Sequence, residues 1–237
     1  QAEDGIRDSV ASRGLGDVYK RQVLTLSLGA WQINRGYEKK ELENTYSTQQ
    51  SYPIEEITYN LDSEKYLYRN VSIKGIFLKD LFYLDNKIHD GKPGVSVLSP
   101  FRLENGKIIM ISRGWVEMND RQNFEKINTP LESLSLVGTL RPVSRGLTLS
   151  KETSQKLGEN FYLLQTFALL EIEKLIDQDL NSNVLELSEL SPASFTSIWQ
   201  PINLSSYRHF GYAFQWFGLA IVILVGVSLY VLRGRNK

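Results

Sequence analysis

The run from Gly211 to Leu232, 22 residues without a charge or a proline, constrains this chain more than any other stretch. At 1.5 Å per residue a helix of that length covers about 33 Å, against a hydrocarbon core of roughly 30 Å. A soluble core helix of the same length would carry a polar stripe, whereas here only Gln215 and Ser228 are distinctly polar. Tyr207, Tyr212, Trp216 and Tyr230 lie near its ends like an interfacial aromatic belt. The expectation is a transmembrane helix over 209–232. The basic tail 233–237, with Arg233, Arg235 and Lys237, then marks the cytoplasmic side. His209, one of two histidines in the protein, stands at the mouth of this segment.

The other end reads differently. "QAEDGIRDSVASRGLGDVYKRQ" has no apolar run and no cleavage site, and does not open like a helix. Back-translated, its beginning and end reproduce the flow-cell and transposon adaptors of a short-read sequencing library. Residues 1–22 are therefore expected to be a translated adaptor artefact, with the native N-terminus lost. Val23 to Ile33 is apolar but too short to span, and Trp31 and Arg35 follow as at the distal end of a membrane helix. Residues 23–34 read as the remnant of a first transmembrane helix, and 35–208 as a domain on the outer side. Arg35, Lys39 and Lys40 on that side run mildly against the positive-inside bias, which long translocated loops follow poorly.

Within that domain, Tyr37 to Gln50 is charged and continues as a helix before a linker around Pro53. Val71, Ile73, Ile76 and Leu78 mark half-buried strands around Gly75. "GKPGVSVLSPF" starts as a turn and leads into a short strand. "LENGKIIMISRGWVEM" reads as a hairpin whose Asn105-Gly106 pair accepts positive φ at both turn positions. "SLSLVGTLRPV" is a strand stopped by Pro142, and Val184 to Leu190 returns to the sheet. "TFALLEIEKLIDQDL" places Phe167, Leu170 and Leu175 at helical spacing, with Thr166 as its cap. The fold class expected is membrane-anchored α+β: five to seven mostly antiparallel strands in a barrel-like sheet, with one or two helices.

Composition narrows the chemistry. There is no cysteine, so thiol catalysis and Cys-ligated zinc or iron–sulfur sites are excluded. The balance of 27 basic and 27 acidic residues argues against nucleic acid as partner. No nucleophile elbow, zinc-protease helix, phosphate loop or dinucleotide fingerprint occurs. A membrane-tethered hydrolase using paired carboxylates has nothing to recommend it. His89, in the polar turn "KIHDGKPG", reads as a solvated loop residue. Arg113 and Trp115 in "SRGWV", and Arg141 and Arg145 in "LRPVSRG", offer guanidinium forks and a planar face. The alternative at Arg113 is a guanidinium binding loop carbonyls while Trp115 fills the core. His209 has two readings as well: an interfacial residue with no further role, or an imidazole suited to haem iron.

Five blocks in order, "LGAWQINRGYEK", "LDNKIHDGKPGVSVLSPF", "SRGWVEM", "VGTLRP" and "RHFGYAFQWFGLA", resemble the Surfeit-locus family of cytochrome c oxidase assembly factors. The likeness runs over Leu28 to Leu232. It implies a non-enzymatic maturation factor with two transmembrane helices that assists delivery or insertion of haem a into the catalytic subunit of a haem-copper oxidase. The family's H-x-x-Y-A-x-x-W-F block falls on His209, Tyr212 and Trp216, with His209 as haem iron ligand and haem a bound in transit. The family's first-span tryptophan falls on Trp31, and its R-G-W block on Arg113 and Trp115. Implied partners are the oxidase catalytic subunit, the haem a synthesis machinery and the lipid bilayer. The implied location is a bacterial inner membrane with the main domain periplasmic, or a mitochondrial inner membrane. The competing expectation is a membrane scaffold that binds oxidase subunits or other assembly factors without touching haem.

Overall fold

A computed structural model describes residues 2–58, 61, 64–118, 127–143 and 154–235, with side chains from residue 16 to residue 234. The chain divides into two compact units, Tyr46–Pro201 and Gln1–Thr45 with Ile202–Lys237. Arg145 lies outside the described residues.

Among the described residues the Tyr46–Pro201 unit is built on nine strands: β1 (Glu55–Glu56), β2 (Asn70–Phe77), β3 (Leu81–His89), β4 (Lys92–Leu103), β5 (Ile108–Glu117), β6 (Leu134–Pro142), β7 (Ser154–Gly158), β8 (Phe161–Leu164) and β9 (Leu180–Leu187). They hydrogen-bond in the order β1-β2-β6-β9-β5-β4-β3-β8-β7, and a further pairing of β2 with β4 closes five of them into a ring. Closure rests on one long strand. β4 pairs with β5 along most of its length while its other edge passes from β3, over Lys92–Leu98, to β2, over Phe101–Leu103. Pro100, which has no N–H to give, sits at the switch, and its carbonyl accepts the Leu78 N–H. Gly75 lies where β2 meets β4, and a Cβ there would strike the Arg102 carbonyl oxygen.

Alternation along these strands sorts the core. Val71, Ile73, Phe77, Phe101, Ile109, Ile111, Leu136, Leu140, Leu185 and Leu187 are buried together, each such side chain contributing about 1.5–3 kcal/mol. A second cluster forms where helix α2 (Leu169–Ile176) covers the sheet: Ile172 packs against Phe82, Met110 and Val184.

Nine strands stand where five to seven were expected, because the two-residue β1 and the short β7–β8 hairpin carry little periodicity. β4, expected to be short, has 12 residues. Ile76 points outward at 38% exposure, since strict alternation gives the inner positions to Val71, Ile73, Gly75 and Phe77. Leu78 falls just past the strand. α2 is capped at Ala168 without a side-chain bond, not at Thr166, and Leu170 is exposed. In the β4–β5 turn only Gly106 has positive φ; Asn105 instead accepts the Lys107 N–H through Oδ1. Positive φ at both positions occurs one hairpin earlier, at Asp90 and Gly91. The sheet's return ends at Leu187, leaving Leu190 exposed.

The other unit is helical. α1 spans Ala2–Ser51, so residues 2–22 are helical despite their unpromising start: a helix nucleated elsewhere adds residues at little cost. Residues 23–34 lie inside α1. α3 spans Ser206–Arg235 and extends the expected 209–232 at both ends. Among the described residues one helix is long and apolar enough to cross a membrane, Ser206–Gly234.

Candidate functional site in the helical unit

α1 and α3 run side by side along a seam of small residues. On α3, Ser206, His209, Ala213 and Ala220 are buried, and on α1, Thr25, Gly29 and Gly36. The ring of Phe217 lies over Gly29 and that of Phe210 over Gly36, where a Cβ would come within 2.8 and 2.7 Å of a ring carbon. Small residues at such positions let apolar helices approach closely, which is how helices associate in lipid, where burying apolar surface gives no drive.

Those two contacts fix the register, and a third fixes the flanks. Tyr37 and Phe210 meet edge to face at 5.4 Å on one side of the seam. The 3.6-residue period puts Tyr212 and Trp216 on the flank of α3 away from Phe210, whereas Trp31, two positions after Gly29 and five before Gly36, falls on the face of α1 away from the seam. Tyr212 is 44% and Trp31 55% exposed, while Trp216 is half-buried.

Among the described residues His209 is the one ionisable side chain of α3 that is buried, 6% exposed. Its Nδ1 lies 2.8 Å from Gln32 Oε1. An aliphatic neighbour would have left this polar ring unsatisfied in an apolar setting, at a cost of about 1–3 kcal/mol. Among the described residues no three His, Asp or Glu side chains converge to hold a metal ion. A single imidazole suffices for haem, which brings four equatorial nitrogens of its own. The donor set therefore fits a haem and not a bare cation.

Nearer the start of α3, the Glu43 carboxylate accepts both the Ser206 N–H, at 2.9 Å, and the Ser206 hydroxyl, at 2.7 Å. The hydroxyl bond first, then the backbone bond, holds the Glu43 carboxyl below the usual carboxylate range. The folded pKa is depressed, so the stabilisation is complete above the ordinary glutamate pKa and is lost as pH falls through the folded value. The protection factor of the Ser206 amide, referred to the intrinsic exchange rate at each pH, should fall several-fold on acidification through that window. In Glu43→Gln the step should disappear; an identical step in the variant would assign it to another group.

In the barrel unit the R-G-W block sits at one end of β5. Arg113 is 2% exposed. Its Nε donates to the Ala193 carbonyl at 2.8 Å, Nη1 to Thr129 Oγ1 at 3.1 Å and Nη2 to the Asn128 carbonyl at 3.2 Å. The guanidinium also lies over the rings of Phe195 and Phe77. Burial pushes its pKa down to about 10, which still leaves it charged at neutral pH. Trp115, 8% exposed, donates Nε1 to the Lys87 carbonyl and packs against His89 at 5.2 Å. His89 is thus the half-buried last residue of β3 rather than a solvated loop residue. The arrangement at Arg113 and Trp115 matches the second of the two expectations for them, loop carbonyls and core. Arg141 pairs with Glu186, not with an exposed site, its Nε 3.0 Å from Oε2.

Sequence reasoning passed over Gln32. Its only signal was adjacency to Trp31 in "AWQIN"; the partner lies 177 positions away.

Comparison with known proteins adds the lineage. The model of the SURF1 family matches residues 22–221. A SURF1-like protein of Rickettsia bellii is 29% identical over 216 residues, covering 88% of this chain and 86% of that protein. The cytochrome oxidase assembly protein SHY1 of Saccharomyces cerevisiae is 27% identical over 138 residues, 54% of this chain and 36% of that protein. With its blocks in order and the family model matched from the middle of α1 into α3, the chain belongs to the SURF1 family.

Proposed function

We propose that this protein is a membrane-anchored, non-enzymatic assembly factor of a haem-copper oxidase, and that it holds haem a in transit to the catalytic subunit. The observation that carries the reading is the lone imidazole of His209, buried in a helix seam near the N-terminal end of an apolar helix long enough to span. The name of the yeast relative supports the oxidase role. In this reading His209 is the axial donor to haem iron. Trp216 and Tyr212, on the His209 face of α3, and Trp31 on α1 offer planar faces to the macrocycle. The bound group supplies no chemistry beyond its own coordination site; the chain orients it and keeps water from it. In this reading the basic tail 233–237 lies in the cytoplasm, with the barrel unit on the periplasmic side of an inner membrane, or its mitochondrial counterpart.

The test is spectroscopic. Full-length protein purified in detergent from cells that make haem a should carry a Soret band, and His209→Ala should lose most of it. Full haem occupancy in the variant would remove His209 as ligand.

A second reading, a scaffold that never touches haem, is favoured by the internal engagement of Arg113 and Trp115, which leaves the R-G-W block holding loops rather than a ligand. Recovery of an oxidase subunit by affinity capture from a strain lacking haem a would support it.

A further inference from the structure

We infer that Gln32 is a positioning residue for His209: it fixes the imidazole as the Nδ1–H tautomer and so turns the lone pair of Nε2 outward as a metal donor. The inference rests on the haem reading for its purpose, though not for its geometry.

The argument starts from which atoms meet. The Gln32 atom 2.8 Å from His209 Nδ1 is Oε1, a carbonyl oxygen that can only accept. Nδ1 must therefore carry the hydrogen. In a neutral imidazole the second nitrogen is then bare, and among the described residues Nε2 has no partner. A ring whose two nitrogens were both committed would be a structural filler. One nitrogen tied down and the other left with its lone pair is the arrangement by which a second residue orients a metal-binding histidine.

The setting makes the bond hard to replace. His209 is buried against α1, where little water competes for Nδ1. Gln32 stands between Gly29 and Gly36, the two positions of α1 over which rings from α3 lie. A neutral acceptor also suits the site, because a carboxylate there would favour the imidazolium, which has no lone pair to give.

The experiment uses the full chain in lipid nanodiscs, labelled with 15N-histidine. Two histidines give two sets of signals, and His89→Gln assigns those of His209. In the unliganded protein at pH 8, Nδ1 of His209 should show the shift of a protonated nitrogen and Nε2 that of a bare one. Gln32→Leu should release the ring to a mixture of tautomers and weaken binding of hemin, used as probe, by about tenfold to a hundredfold. Gln32→Asn, a shorter acceptor, should fall between, and controls for a helix pair that fails to form in the leucine variant. A bare Nδ1 in the wild type, or an unchanged tautomer in Gln32→Leu, overturns the inference. Hemin binding that ignores His209→Ala while the Nδ1–H tautomer is observed overturns the haem reading instead, and leaves the assignment of Gln32 standing.

Discussion

Arg141→Met is expected to destabilise the Tyr46–Pro201 unit by about 3–5 kcal/mol, the usual cost of stranding one partner of a buried ion pair. Glu186 is 5% exposed on β9, and its Oε2 takes the Arg141 guanidinium at 3.0 Å. Ser112, its register neighbour on β5, hydrogen-bonds it as well, while Trp199 covers Arg141 from above at 5.5 Å. Burial holds the Glu186 pKa above the ordinary glutamate value, although Arg141 and Ser112 pull the other way. The sign follows. A folded-state carboxyl that binds its proton more tightly than the unfolded one loses stability as pH rises from the unfolded to the folded pKa. Removing Arg141 takes away the largest opposing influence, so the folded pKa climbs further and the window widens. Chemical denaturation of the full chain in detergent should therefore show Arg141→Met approaching wild-type stability in acid and falling away toward neutral pH. Arg141→Met with Glu186→Leu should recover most of the loss, because no unpaired charge remains. A single variant as damaging at acidic as at neutral pH would show that the loss comes from packing under Trp199 and not from the carboxylate.

This buried pair also shows where reading a chain stops. Arg141 was visible in "LRPV" as a fork at a strand end, but its partner depends on β6 lying antiparallel beside β9, a pairing no local pattern reveals. The same holds for barrel closure. Alternation exposed the inner faces of β2, β5 and β6, yet the ring closes through Gly75 against Arg102, a contact of backbone with backbone. In the helical unit the apolar run announced α3 and put His209 at its mouth. Gln32 stayed hidden because its role requires the register of two helices, which Gly29 and Gly36 set by what they lack. Turn chemistry misled in a narrower way: Asn105-Gly106 and Asp90-Gly91 carry the same kind of signal, and loop length decides which takes positive φ twice.

Gly114→Ala is expected to cost about 3–5 kcal/mol, the sum of a strained backbone and a collision that cannot relax. Gly114 has φ +116, a region L side chains rarely adopt, and a Cβ there would meet the Phe195 carbonyl carbon at 2.7 Å and the Thr196 carbonyl oxygen at 2.8 Å. Both obstacles are backbone. The segment cannot retreat, because the Phe195 N–H donates to the Arg113 carbonyl at 2.6 Å and the Trp115 N–H to the Thr196 carbonyl at 2.7 Å, one bond on each side of the glycine. Arg113 fastens the same loop through Ala193 and brings in Asn128 and Thr129. Gly106→Ala separates the two contributions, since Gly106 has φ +84 with nothing within 4 Å of an added Cβ. That variant should lose only the conformational part, about 1 kcal/mol. Equal losses in the two variants, measured by denaturation of the full chain, would mean that the loop at Phe195 yields. A Gly114→Ala loss several times larger would mean that Arg113, Gly114 and Trp115 act as one clamp, with the glycine kept bare so that the arginine can reach across the loop it holds.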